Sequence, residues 1–119
     1  MNVRLLLIIA VAGAACGGAD QSSVTPPPKP TAKTVDVATV ATSFSPNSVT
    51  ISPGDSVRFT IVPAPNGEGH DVTFDPKAGA PPNIKVTLRG MFVLGFGTRG
   101  TFHYNCFVHP GMSGDVIVQ

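Results

Sequence analysis

Charge is scarce in this sequence: 13% of its 119 residues are Asp, Glu, Lys or Arg, and the formal net charge is +1. Its eight Lys and Arg residues are scattered. A protein that tracks phosphates carries a basic patch, so nucleic-acid binding is excluded as a function class. Long apolar runs are also missing. Val3 to Ala15 comes nearest, but Arg4 interrupts it, and the remainder falls short of the roughly 20 residues that cross a bilayer. A permanent membrane helix is therefore not expected. Uninterrupted helical stretches are missing too, because 13 glycines and 12 prolines cut the chain into short segments. That punctuation favours strands and turns. The length suggests one domain, with enough apolar residues (42%) for a workable core. Only two cysteines, Cys16 and Cys106, and three histidines are present.

The N-terminus reads as a targeting segment: a basic start, "MNVR", then "LLLIIAVAGAA", then small residues. Ala12-Gly13-Ala14 has the form of an ordinary signal-peptidase site. Gly13-Ala14-Ala15-Cys16 resembles a bacterial lipobox, with Gly13 where leucine is usual. The lipobox reading is preferred, because one of only two cysteines stands right at the end of the signal. It makes residues 1–15 a signal peptide and Cys16 the lipidated N-terminus. Residues 16–34 then form a Pro/Ser/Gly-rich linker, and 35–119 a folded domain. The expected location is periplasmic or at the cell surface, anchored to a bacterial membrane through the lipid. Removing residues 1–15 removes Arg4, leaving seven basic residues against seven acidic ones. Export favours disulfides, yet with Cys16 acylated Cys106 has no partner. A lone thiol in an oxidising compartment calls for an occupant, and a metal would serve.

From Val35 onward the pattern has period two. Val57, Phe59 and Ile61 alternate with Ser56, Arg58 and Thr60; His70, Val72 and Phe74 alternate with Asp71 and Thr73. Ile84, Val86 and Leu88 share one face, as do Phe102, Tyr104 and Cys106, and then Val116 and Val118. Short alternating runs bounded by Pro and Gly predict half-buried antiparallel strands, and their number predicts a sandwich or small barrel.

The chemistry-bearing stretch is "NCFVHPGM", where Cys106, His109 and Met112 follow one another at three-residue steps. Imidazole, thiolate and thioether together select soft or borderline transition metals. Two His and one Cys with a weak axial Met form the donor set of mononuclear blue-copper electron-transfer sites. The second His must come from His70 or His103. Alternation points His103 away from Cys106, so it reads as exposed or locally hydrogen-bonded. His70 opens a strand beside a Gly-rich loop and is better placed, although a single histidine there also reads as a strand cap. Taken singly, Cys106 reads equally as a core thiol, His109 as a solvated loop residue and Met112 as core filler. Jointly, three soft donors within seven residues, with Pro110-Gly111 making a turn between two of them, favour the metal reading.

"FSPNSVTISPGDSVRFTI", "GHDVTFD" and "GTFHYNCFVHPGMSGDVIV" together resemble the cupredoxins, the small blue-copper proteins, over residues 44–119. The short Cys-x-x-His-x-x-Met loop is most similar to that of amicyanin. The resemblance implies an all-β Greek-key β-sandwich of seven to eight strands. It also implies one copper ion in a type 1 site, with His70, Cys106, His109 and Met112 as ligands. The implied activity is single-electron transfer between redox partners, such as a cytochrome, oxidase or dehydrogenase, by a monomer that is not an enzyme. The family's electron exit is the loop histidine, here His109, in a small apolar patch; the apolar density of "GMFVLGF" offers Met91 or Phe92 beside Pro110, Gly111 and Pro81-Pro82 as its lining, although Phe92, Leu94 and Phe96 read better as core. Two positions depart from the family. Asp71 replaces the Asn that usually follows the first ligand His, and Phe59 stands where many relatives carry Trp or Tyr. An inward Asp71 carboxylate would favour Cu(II) and lower the potential.

Rival functions fare less well. A copper carrier or scavenger would use the same four ligands without a redox partner. A multicopper oxidase or nitrite reductase needs further histidine clusters and domains, and a binuclear copper centre needs two bridging cysteines. A thiol enzyme built on Cys106 and His109 leaves Met112 and His70 without roles.

Overall fold

The computed structural model describes residues 31–119. The signal segment, Cys16 and most of the linker lie outside the described residues. Nine strands follow in order: β1 Thr34–Val40, β2 Ser43–Ser45, β3 Ser48–Ile51, β4 Ser56–Ile61, β5 His70–Phe74, β6 Ile84–Thr87, β7 Gly90–Gly95, β8 Gly100–Asn105 and β9 Ser113–Val118. They form a four-stranded sheet, β2-β1-β4-β7, and a five-stranded sheet, β3-β9-β8-β5-β6. The all-β sandwich is as the sequence predicts.

Pairing differs from the expectation in direction. β1 lies parallel to β4, with Val37 opposite Phe59, and β3 lies parallel to β9, with Val49 opposite Val116. The remaining pairs are antiparallel. Parallel neighbours need a long connection rather than a hairpin, and here the chain crosses between the sheets to supply one. β2 and β7 complete the count. β7 alternates in burial, with Phe92 and Leu94 packed on the core and Met91 and Val93 facing outward. β6 departs from strict alternation: Ile84 is buried, but Val86 and Leu88 are exposed. The cause is its place at the sheet edge, where a register shift between His70 and Val72 breaks the β5–β6 ladder.

Aromatic rings fill the space between the sheets. Tyr104 meets Phe44, Phe59 and Phe74 edge-on at centroid distances of 4.9, 5.3 and 5.7 Å. Phe96 bridges Phe74 and Phe102 at 5.9 and 5.5 Å. These separations lie in the range that aromatic pairs prefer, and edge-to-face contact sets a positive ring edge against a negative face. Such a core holds the strand ends still, and the strand ends carry the soft side chains.

Tyr104 also explains a glycine. It pairs across the ladder with Gly114, and a Cβ on Gly114 would collide with the phenol and stand 2.8 Å from the Asn47 carbonyl oxygen. Gly114→Ala is therefore expected to destabilise the domain by about 2 kcal/mol, the usual scale for overpacking. Urea unfolding of the metal-free protein measures this; an unchanged midpoint would mean that the ring moves freely.

Candidate metal centre

At one end of the sandwich, His70, Cys106 and His109 bring their donor atoms together. His70 begins β5 and is fully buried, Cys106 directly follows β8, and His109 sits in the β8–β9 connection. The Nδ1 atoms of His70 and His109 each lie 3.8 Å from Cys106 Sγ, and the two imidazole centroids are 4.7 Å apart. All three donor atoms fall within 4.8 Å of one another. Met112, the last residue before β9, is buried in the same loop.

The loop takes this shape for local reasons. The Cys106 N–H donates to the Met112 carbonyl at 2.8 Å, and the Met112 N–H to the His109 carbonyl at 3.1 Å. The second bond closes a four-residue turn, His109-Pro110-Gly111-Met112. Proline presets φ at its second position, and Gly111 supplies the positive φ of 84° that a type II turn requires at its third. Three side chains thus project from one closed ring.

Asp71 locks this ring to the strand that bears His70. Its Oδ1 accepts the Phe107 N–H at 2.8 Å and its Oδ2 accepts the Thr73 hydroxyl at 2.7 Å. Alternation turns the Asp71 side chain away from His70, as the sequence pattern implies, yet the carboxylate is buried against the ligand loop. Gly69 lets the preceding loop pass close to β6, since a Cβ there would stand 2.6 Å from the Thr87 carbonyl oxygen.

Electrostatics suit a cation held by neutral imidazoles. Burial first, and then the neighbouring His109, pushes His70 below the usual imidazole range. Its ring is therefore neutral with a lone pair to offer. The outer edge of His109 meets Glu68, whose Oε2 lies 3.0 Å from Nε2. The Asn66 amide, and after it His109, holds the Glu68 carboxyl below its ordinary range. Glu68, beside the centre, is a residue that motif reasoning does not single out. A carboxylate two positions before His70, in "NGEGH", was the available signal.

His103, the third histidine, is on β8 and faces outward, with its Nδ1 2.8 Å from Asp115 Oδ1. The apolar residues picked out by composition divide. Met91 projects from the outer face of its sheet and Phe92 packs on the core. Pro81-Pro82 precede the Ile84 end of β6, whereas Thr87, at the other end, pairs with His70. The exposed apolar residues at the metal end are instead Val40, Val62, Leu88 and Phe107. Val40 ends β1, and Val62 directly follows Ile61, the last residue of β4. Leu88 follows Thr87, and Phe107 follows Cys106.

No protein-family model matches the chain. A plastocyanin of Dryopteris crassirhizoma is 32% identical over 93 residues, covering 64% of this chain and 87% of that protein. The chain belongs to the cupredoxin family. Among solved structures, pseudoazurin from Methylobacterium extorquens AM1 superposes with a TM-score of 0.56 and 28% identity, over 71% of this chain and 74% of its own. A copper-containing nitrite reductase from Thermus scotoductus SA-01 gives a TM-score of 0.60 at 26% identity, but only 22% of that chain is matched. This cupredoxin therefore corresponds to one part of the larger enzyme. Copper is its cofactor, and the side chains fit it. A thiolate about 2.3 Å and an imidazole about 2.0 Å from one ion, at an angle of about 120°, stand about 3.7 Å apart, close to the 3.8 Å seen twice here.

Asp71→Ala leaves the Phe107 N–H without its partner and is expected to cost the metal-free domain about 2 kcal/mol. Asp71→Asn keeps an acceptor and is expected to stay within about 1 kcal/mol of wild type. Urea titration compares them, and equal losses in both would contradict the bracing role. Asp115 raises the His103 pKa by hydrogen bonding and by its charge. The pair's contribution is therefore full below the unfolded imidazole value and fades as pH rises through the higher folded one. Both side chains are 40% exposed, so Asp115→Asn is expected to cost only about 0.5 kcal/mol at acid pH and nothing at alkaline pH. A loss that grows with pH would reverse the assignment.

Proposed function

We propose that this cupredoxin is an exported electron carrier in which His70, Cys106, His109 and Met112 hold a single copper ion. The observation that carries the reading is the meeting of two imidazole Nδ1 atoms on one buried thiol, each at 3.8 Å. Bound copper supplies a one-electron couple between its +1 and +2 states. The protein supplies the rest. Cys106, as thiolate, is the strongest donor, His70 and His109 are neutral donors, and Met112 is the weak axial ligand that tunes the potential. Backbone bonds close the ligand loop and Asp71 ties it to β5, so the donors keep their places whichever oxidation state they surround. Small rearrangement means a small barrier to electron transfer.

His109 is the exit. It lies on the loop, and Val40, Val62, Leu88 and Phe107 ring that end with exposed apolar surface. Such a rim suits transient docking of a redox protein, where contact must be close but brief. We further propose that residues 35–119 are the working domain, and that 16–34 tether it through lipidated Cys16 to a bacterial membrane. The N-terminal basic and apolar pattern and the lipobox-like Gly-Ala-Ala-Cys support this. The 22% match to nitrite reductase concerns a domain, and within residues 35–119 the histidine outside the proposed copper set, His103, is paired with Asp115.

Protein loaded with one equivalent of Cu(II) is expected to be intensely blue, and Cys106→Ser to lose the colour entirely. Absorption and EPR spectra measure both. Reversible voltammetry with rapid self-exchange is expected for a carrier; copper transfer to an acceptor protein without reversible redox would point to a copper chaperone. A colourless wild-type adduct would refute the assignment.

A further inference from the structure

The outer edge of a metal-ligand imidazole is where its second nitrogen must find a partner. In this chain that partner is built in. Glu68 Oε2 lies 3.0 Å from His109 Nε2, and the same oxygen accepts from Asn66 Nδ2 at 2.7 Å. The Glu68 N–H donates to Asn66 Oδ1 at 3.1 Å, so the two side chains clasp each other. Backbone bonds close the segment around them: Gly67 N–H to the Ala64 carbonyl at 2.8 Å, and Ala64 N–H to the Glu68 carbonyl at 2.9 Å. Pro65 sits at the second position of that turn, where its fixed φ is suited. The carboxylate is thus aimed by a short ring of five residues and does not hang from a free loop. It covers His109, whose side chain is only 9% exposed, while its own is 53% exposed.

Resting on the copper reading above, we propose that Glu68 is a positioning residue for the metal centre, one that also lowers its reduction potential. Two consequences follow from the geometry. First, a carboxylate only accepts, so His109 Nε2 must carry the proton and donate it. Nδ1, which faces Cys106 Sγ, is then left as the bare donor, and the ring cannot turn. Second, a negative charge one imidazole away from the ion favours the state with the greater positive charge. That state is the oxidised one, so the potential falls. The exposure of Glu68 makes the effect largest at low ionic strength.

The test separates hydrogen bond from charge. Glu68→Gln keeps an acceptor and removes the charge; Glu68→Ala removes both. In metal-free protein, at a pH where imidazole is neutral, nitrogen-15 NMR is expected to show a slowly exchanging His109 Nε2 proton in wild type and Glu68→Gln, lost in Glu68→Ala. In copper-loaded protein at low salt, redox titration is expected to show a higher potential in both variants. The ratio of Cu(II) to Cu(I) affinity should fall about tenfold, which is about 59 mV for one electron. A potential unchanged in Glu68→Gln, or a rapidly exchanging Nε2 proton in wild type, would overturn the proposal. A wild-type protein that never turns blue would instead sink the copper reading, and the metal-free NMR comparison would still decide the hydrogen bond.

Discussion

The amide of Cys106 donates to the carbonyl of Met112, and the position of three soft side chains depends on that one backbone bond. It joins the end of β8 to the start of β9, strands that are already antiparallel neighbours, so the connection between them is short and closed. Within it the Pro110-Gly111 turn sets the distance from His109 to Met112. His70 comes from a different strand and a different part of the chain. Two ties align it with the loop: the β5–β8 ladder, with Phe74 opposite Tyr104, and the Asp71 carboxylate on the Phe107 amide.

The aromatic interior serves the same end. Phe59, Phe74, Phe96 and Tyr104 pack edge-on between the sheets, and Phe102 meets Phe96 at a tilt. Rings interlocked in this way resist sliding of one sheet over the other. A ligand at the tip of a strand is held only as firmly as the strand beneath it. Phe102 and Tyr104 lie on the strand that ends beside Cys106, and Phe74 on the one that begins with His70. Core and site are therefore consecutive stretches of the same strands.

Much of this was legible in the sequence, for identifiable reasons. Alternation exposed β4, β5, β8 and β9 because each has one face on the core, and Cys106 continues the buried face of Phe102 and Tyr104. The three-residue steps of the Cys-His-Met loop place three soft donors within seven residues, which is what carries the metal reading. Pairing direction was not legible, since parallel and antiparallel strands alternate alike. β6 misled because an edge strand with a broken ladder does not obey its neighbours' register. Asp71 showed its place in the chain but not its partner, which is an amide 36 residues away. Glu68 offered only its nearness to His70 in the chain, a weak signal, because one carboxylate in a turn resembles any solvated residue until the fold sets the His109 imidazole beside it.

One strand carries a consequence of another kind. β7 is bonded to β4 on one side only, and its sequence, Gly-Met-Phe-Val-Leu-Gly, contains no charge. Unpaired backbone along an apolar edge is a template for a second chain. The flanking Arg89 and Arg99 are the nearest gatekeepers. In concentrated solution, self-association of this domain should begin along that open edge of the four-stranded sheet, on a strand that bears none of His70, Cys106, His109 and Met112, so that a clumped sample could still keep its colour.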